Sequence, residues 1–408
     1  MDPGKQLPLV GEITANEAWM DALIRHQIYL LRFSGSIRNE ITGLLNATEK
    51  DIAQKIRGML TGDTKNVNKR LVQANALLKD IKAIRNSAWD DVDAVWLSDF
   101  EQMVVKEAVF LKTTLDTVVP VVLNSKLPPA AKLKALIKTQ PFEGRVLKEW
   151  AASVRASDLR KIEDQIKIGI VQGESNAAIA RRVIGTAKLK GRDGITQLTR
   201  RNVETITRTA TISFSNAARG EFLQANAALF EKEVYVATLD SRTTAICRSL
   251  DGDRFPVGEG PQPPLHFNCR SLRVALIGED MIGTRPYKPV TKEMLLRRYC
   301  KQNNIKVVSS RARLPRGHKM SYDQFARVTT RAMIGQVPAK VTYGQWLGRQ
   351  SVEFQNDVLG PTRGKLFRKG ELSLDKFVNR QGDELTLAEL ADKEAAAFRA
   401  AGLDPKEF

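Results

Sequence analysis

Apolar residues recur at helical spacing through the first third of the chain. Ile37, Ile41, Leu44 and Leu45 fall at i, i+4, i+7 and i+8, one stripe of a helix with a single buried face. Thr48 followed by Asp51 predicts the start of a new helix, with Ile52, Ile56 and Met59 on its inner side. Thr61-Gly62-Asp63 would end it. A second helical stretch runs through Leu71, Leu77, Leu78, Ile81 and Ile84, and a third from about Ala88 to Val119, ahead of Pro120. The pattern predicts a bundle of long antiparallel helices with no chemistry of its own.

Pro128-Pro129 and Thr139-Gln140-Pro141 predict a boundary. After it, Val146, Trp150, Val154, Leu159, Ile162, Ile166 and Ile170 repeat at helical spacing. Gly173-Glu174-Ser175 ends that helix, and Ser175 or Asn176 caps the next, which carries Ile179, Val183 and Ile184. A DNA-binding helix-turn-helix would look like this, but so would any helical hairpin. Residues 187–197 read as a loop and Leu198 to Phe230 as a helix. The period then changes. Val234 to Ala237 predict one strand and Leu272 to Ile277 a second. Gly283 to Pro289 read as a linker, and SSRARLPRGHK (309–319) as an extended arm or loop. Helical patterns resume at Trp346, Val352, Phe354, Val358 and Leu359, and again from Leu385 to Phe398. The expected fold is α+β and predominantly helical. It has an N-terminal helical region (1–141), a central helical module with a small sheet (142–280), a basic linker or arm (281–350) and a helical tail (351–408).

Composition adds limits. At 408 residues the chain has room for two or three domains, and an aromatic content of 6% leans towards helix. No apolar run approaches the roughly 20 residues of a spanning helix, so no membrane association is expected. MDPGKQLPLVGEIT lacks the basic region and apolar core of a secretory signal. Three cysteines cannot all pair within one chain, which points to a reducing cytoplasm. The net charge of +18 is unevenly placed: residues 281–350 carry 15 basic and two acidic side chains, while residues 1–150 carry 21 and 18. Such a block attracts polyanions, nucleic acid first among them, through counterion release. A solvated face or a patch for an acidic protein would carry the same charge. Arg311, Arg313, Arg316 and Lys319 are the candidate nucleic-acid contacts.

Rare residue types concentrate in Leu239–Ser271, LDSRTTAICRSLDGDRFPVGEGPQPPLHFNCRS. Cys247, His266 and Cys269 are spaced C-x18-H-x2-C, and thiolate plus imidazole suits zinc. A fourth ligand would come from Asp240, Asp251 or Asp253. An enzyme reading has Cys247 as nucleophile and His266 as base, or Asp240, Asp251, Asp253 and His266 around a divalent metal for phosphodiester hydrolysis. No phosphate loop, H-E-x-x-H or G-x-S-x-G accompanies them. A structural reading uses more of the residues. Asp240 and Arg242 flank a strand end, Asp251-Gly252-Asp253 has the chemistry of a tight reversal with Gly252 at positive φ, and Pro263-Pro264 stiffens the approach to His266. Arg270 leads into the next strand.

LDSRTTAIC…LDG…PPLHFNCRS resembles the signature of the phage Mu F-like head morphogenesis family, the minor capsid proteins of tailed bacteriophages. The helices around QGES and the stretch TITRTATISFSNAARGEFLQAN (205–226) resemble that family's helical lead-in, so the likeness covers roughly residues 142–277. The tail at 342–378, TYGQWLGRQ…VLGPTRGKLFRKGELSLDKFV, is similar to segments that follow this module in phage head proteins. Asp240, Arg242, Thr243, Cys247, Asp251, Gly252, His266, Cys269 and Arg270 match the pattern. Many members carry further cysteines where Thr244 and Ser271 stand. Their joint absence here implies that they pair in those relatives, through metal or a sulfur bridge, and leaves fewer ligands for a full zinc site. The resemblance implies a non-enzymatic structural protein of the virion, at the head interior or portal vertex after assembly in the host cytoplasm. Its implied partners are the portal or major capsid protein and packaged double-stranded DNA, with roles in packaging or ejection. No cofactor is implied, zinc at Cys247, His266 and Cys269 being the one candidate.

Overall fold

The computed structural model describes residues 15–59, 67–119, 125–276 and 284–408. Two long helices form its spine: α1 (Ala15–Gly58) and α2 (Val67–Val118), about 66 and 78 Å at 1.5 Å per residue. Neither breaks where the sequence predicts. At the expected start near Thr48, the Thr48 hydroxyl donates to the Leu45 carbonyl (2.8 Å) inside a continuous helix. Arg85 of α2 donates to both Leu45 O and Thr48 Oγ1, so the capping signal is absorbed by a helix–helix contact. The stretches split at Ala88 are likewise one helix, with Asn86 held by Arg155. Thr61-Gly62-Asp63 and Pro120 lie outside the described residues.

Four more helices pack on this spine: α3 (Ala130–Thr139), α4 (Leu147–Val171), α5 (Asn176–Ile184) and α6 (Thr196–Ala225). Ile37, Leu45, Trp89, Trp96, Phe100, Leu133, Phe142, Val203 and Phe214 share one core. Ile52, Ile56, Ile81, Ile162, Ile166, Ile179 and Val183 fill another. Ser175 caps α5 as expected, accepting from Ala178 N at 3.2 Å. The apolar face of α5 is spent inside this second core, and Arg182 is held by Glu174. At the centre lies a buried ion pair. Asp158 of α4 accepts from Arg85 Nε (2.7 Å), Trp89 Nε1 (2.9 Å) and Thr199 Oγ1 (2.6 Å), which joins α2, α4 and α6 at one carboxylate.

Two three-stranded sheets follow, as the small β component predicts. The first has the order β3-β1-β4, with β1 (Lys232–Val236) antiparallel to β3 (Arg254–Pro256) and β4 (Leu272–Ala275). The predicted strands at 234–237 and 272–277 are thus central and edge strands of one sheet, Ile277 lying outside the described residues. In the second sheet, β2 (Leu239–Asp240) runs parallel to β5 (Thr284–Lys288), which is antiparallel to β6 (Gly335–Pro338). The linker expected up to Pro289 is therefore a strand from Thr284. Pro286 argues against a central strand, since it has no N–H for the ladder. It is tolerated because β2 pairs only with Tyr287 and Lys288, leaving Pro286 open on that side.

The basic block also departs from the expected arm. It folds as α8 (Lys292–Gln302), a short 3-10 turn at Arg311–Arg313 and α9 (His318–Ala332) around Leu295, Leu296, Tyr299, Cys300, Leu314 and Tyr322. Leu314, the one large apolar residue of SSRARLPRGHK, anchors the turn; with a single anchor no period could be seen. Five short helices close the chain: α10 (Tyr343–Gly348), α11 (Val352–Leu359), α12 (Pro361–Lys369), α13 (Leu387–Lys393) and α14 (Ala395–Ala400). They enclose Trp346, Phe354, Leu366, Phe377, Leu390 and Phe398 together with Leu239 and Met294.

Candidate functional site

Strand alternation decides what each side of β1 meets. Val234 and Val236 face the helical body with Phe222, Leu223, Leu272 and Val274. Tyr235 and the following Ala237 face the other way, onto Cys247 and Cys269. Cys247 sits on α7 (Ala245–Ser249). His266 and Cys269 lie on the loop before β4, where Cys269 N donates to His266 O (3.1 Å) and closes the two-residue spacing into a turn. Asn268 takes φ +59° in that turn and donates its N–H to Thr209 Oγ1 of α6 at 3.0 Å.

These elements bring the three predicted ligands together. Cys247 Sγ is 3.2 Å from His266 Nε2 and 3.8 Å from Cys269 Sγ, and all three ligand atoms lie within 4.8 Å of one another. His266 Nδ1 is 2.9 Å from the Phe267 carbonyl, which can only accept, so Nδ1 carries a proton and the neutral ring turns a lone pair on Nε2 towards the sulfurs. Tyr235 Oη approaches Cys247 Sγ to 3.2 Å. Both cysteines are free thiols, 1% exposed. Hydrogen bonding from Cys269, against burial and with help from His266 and Ser271, pulls the Cys247 thiol down to about 3. The same contact and burial push Cys269 up. Burial disfavours a charged His266, but its hydrogen bond to Cys247 and the charge there outweigh it and raise its pKa. The chemistry is that of a buried thiolate beside a half-buried imidazolium or, with the ring neutral, of a soft metal's ligand set. Thr244 and Ser271 both border Cys247.

The expected fourth ligand does not come from an aspartate. Among the described residues the metal-capable group at this site is Cys247, His266 and Cys269 alone. Asp240 is held by Arg270 through both oxygens (2.6 and 2.8 Å), by Arg242 N (2.9 Å) and by Thr243 Oγ1 (3.3 Å). The Arg242 guanidinium stays peripheral, 3.6 Å away and largely exposed. Asp251 grips Arg285 with both oxygens and accepts from Ala237 N and Tyr343 N. Asp253 is exposed, near Asp375 and Asp251, and partial desolvation first, then those charges, raises its pKa. Gly252 takes φ +95° as predicted, and a Cβ there would meet Thr342 Cγ2 at 2.8 Å. Three buried pairs thus frame the cysteine pocket: Asp240–Arg270, Asp251–Arg285 and Glu233–Arg273. Sequence reading missed Tyr235, whose place follows from β1 alternation, and Arg285, whose partner is 34 residues away and carries no local signal.

Residues 160–273 match the family model described as Phage Mu protein F like protein. The chain carries a Mu F-like domain. This domain takes in the second half of α4 from Arg160, then α5, α6, β1 to β3, the start of β4 and the whole cysteine pocket. Comparison with curated proteins and with solved structures found no match. The Mu F-like match supports a phage head morphogenesis protein, with capsid partners and a virion location. Among the described residues no helix is long and apolar enough to cross a membrane.

The frame gives an acid-sensitive term. Burial works against the Asp240 carboxylate, but Arg270 outweighs it and the Asp240 pKa falls below its ordinary value. The stability this contributes is present above the unfolded carboxylate pKa of about 3.9 and is lost as pH falls through the lower folded value. Asp240→Asn should melt below wild type at pH 7, and the gap should close as pH drops below about 4. Melting curves from pH 7 to 3 check this; a gap independent of pH would refute the ion-pair account.

Proposed function

We propose that this chain is a non-enzymatic minor structural protein of a tailed-phage head, docked through its Mu F-like domain on the portal or inner capsid, with its basic block against packaged DNA. The family match over residues 160–273 carries this reading. Support for a structural rather than catalytic role comes from the pocket itself. Cys247 and Cys269 are 1% exposed, and two of the three aspartates that could complete an active site, Asp240 and Asp251, are engaged by arginines. Co-purification of the portal protein with the full-length chain from infected cells tests the docking. Recovery of the chain free of both portal and capsid would end that part of the reading.

The basic block supports DNA contact by its charge and by where that charge sits. Arg313 and Arg316 are exposed beside the N-terminus of α9, and Lys319 is half-exposed on its first turn. Arg311 is different, since its guanidinium is paired with Asp323. Changing Arg313, Arg316 and Lys319 together to glutamine should weaken duplex binding. If each contacts one phosphate, the slope of log K against log salt flattens by about 2 to 3. Adding Arg311→Gln should contribute less. Fluorescence anisotropy at 50 to 200 mM salt reads the slope, and an unchanged slope would exclude this surface as the DNA contact.

A further inference from the structure

The cysteine pocket has the dimensions of a metal site. Zn–S bonds of about 2.3 Å in a tetrahedron set two sulfurs about 3.8 Å apart, and a Zn–N bond of about 2.0–2.1 Å sets sulfur and nitrogen about 3.5 Å apart. The two cysteine sulfurs are 3.8 Å apart and Cys247 Sγ is 3.2 Å from His266 Nε2, so zinc fits with a few tenths of an ångström of movement. The imidazole is also held in the orientation a metal needs. The Phe267 carbonyl fixes the His266 ring with its Nε2 lone pair inward, the orienting contact that metal-bound histidines use. An oxygen-rich side remains for the fourth corner. Tyr235 Oη lies 3.2 Å from Cys247 Sγ, and Thr244 Oγ1 is buried beside Cys247 without a hydrogen-bond partner.

We propose that Cys247, His266 and Cys269 bind one zinc ion, with the fourth position filled by an oxygen donor on the Tyr235–Thr244 side. The ion would staple α7 to the loop that precedes β4, across the face of β1 turned away from the helical body. It would serve as a fixed clip in the domain. The inference does not depend on the head-protein reading, because it rests on ligand chemistry and distances alone.

Metal content of the full-length chain, purified without chelator or metal-affinity resin, tests it by mass spectrometry. One zinc per chain is expected, falling at least tenfold in Cys247→Ser and His266→Ala and unchanged in Cys300→Ser. Because those variants can fail to fold, the wild-type chain is also stripped of metal and titrated with cobalt(II). Thiolate-to-cobalt charge transfer and intense tetrahedral ligand-field bands should saturate at one equivalent. Zinc below a tenth of an equivalent together with no cobalt spectrum would overturn the site. So would a Cys247–Cys269 disulfide in freshly isolated protein, or one equivalent of another metal in place of zinc in the protein as isolated.

Discussion

Replacing Asp251 with alanine should destabilise the protein by about 3 to 5 kcal/mol, the cost of leaving a buried charge without its partner. Asp251 is buried, and its two oxygens take four donors: both terminal nitrogens of Arg285 and the backbone N–H groups of Ala237 and Tyr343. Those donors belong to the end of the first sheet, to β5 of the second and to the start of α10. One carboxylate therefore ties together three parts of the fold, beside Asp240, whose carbonyl accepts from the Tyr343 hydroxyl at 2.8 Å. Asp251→Asn keeps the shape and fewer of the bonds, so it should fall between wild type and alanine. Urea unfolding with unchanged m-values is the measurement. A loss below about 1 kcal/mol for the alanine variant would mean that apolar packing around Leu239 and Tyr343 holds the junction without the charge.

The second large effect belongs to Asp158. Arg85 and Asp158 are each 1% exposed, and Arg85 also serves Leu45 O and Thr48 Oγ1. Asp158→Ala strands a buried guanidinium and leaves Trp89 Nε1 and Thr199 Oγ1 without their acceptor. A loss of about 3 to 5 kcal/mol is expected. The double replacement Arg85→Met with Asp158→Leu removes both charges, and it should be less damaging than either single charge deletion. A double variant as unstable as the sum of the two single ones would show that the pair contributes little coupling and that the helices depend on shape at this point.

The sequence made the helical body legible because its apolar stripes are long and local. It misplaced the breaks because Thr48 and Asn86 look the same whether they end a helix or bind across it. The bonds that decide this come from Arg85 and Arg155, tens of residues away. The pocket was legible for a different reason. Cys247, His266 and Cys269 are rare residue types in a short segment, and Asp251-Gly252-Asp253 has an unmistakable turn composition. Which aspartate completes which contact was not legible. Asp240 and Asp251 look like ligands by type, and only the fold shows Arg270 and Arg285 in front of them. The basic block was misread because its core is built from scattered anchors such as Tyr299 and Leu314, too far apart to leave a period.

The pairing of β5 with β6 has a consequence for how this protein can vary. Tyr287 faces Gly335 in the ladder, so the chain leaves the sheet after Lys288 and re-enters beside its point of departure. Everything between is a closed excursion. It is steadied on one flank by Thr291 and Arg297, which reach Asp357 of α11. Exchanging it for a tight turn would recover about 2 kcal/mol of loop-closure entropy and leave the ladder's register alone. Most of the basic block's charge is thus carried on a closed excursion whose length and charge can change without shifting the ladder's register, as long as Met294 keeps its place in the core of the C-terminal helices.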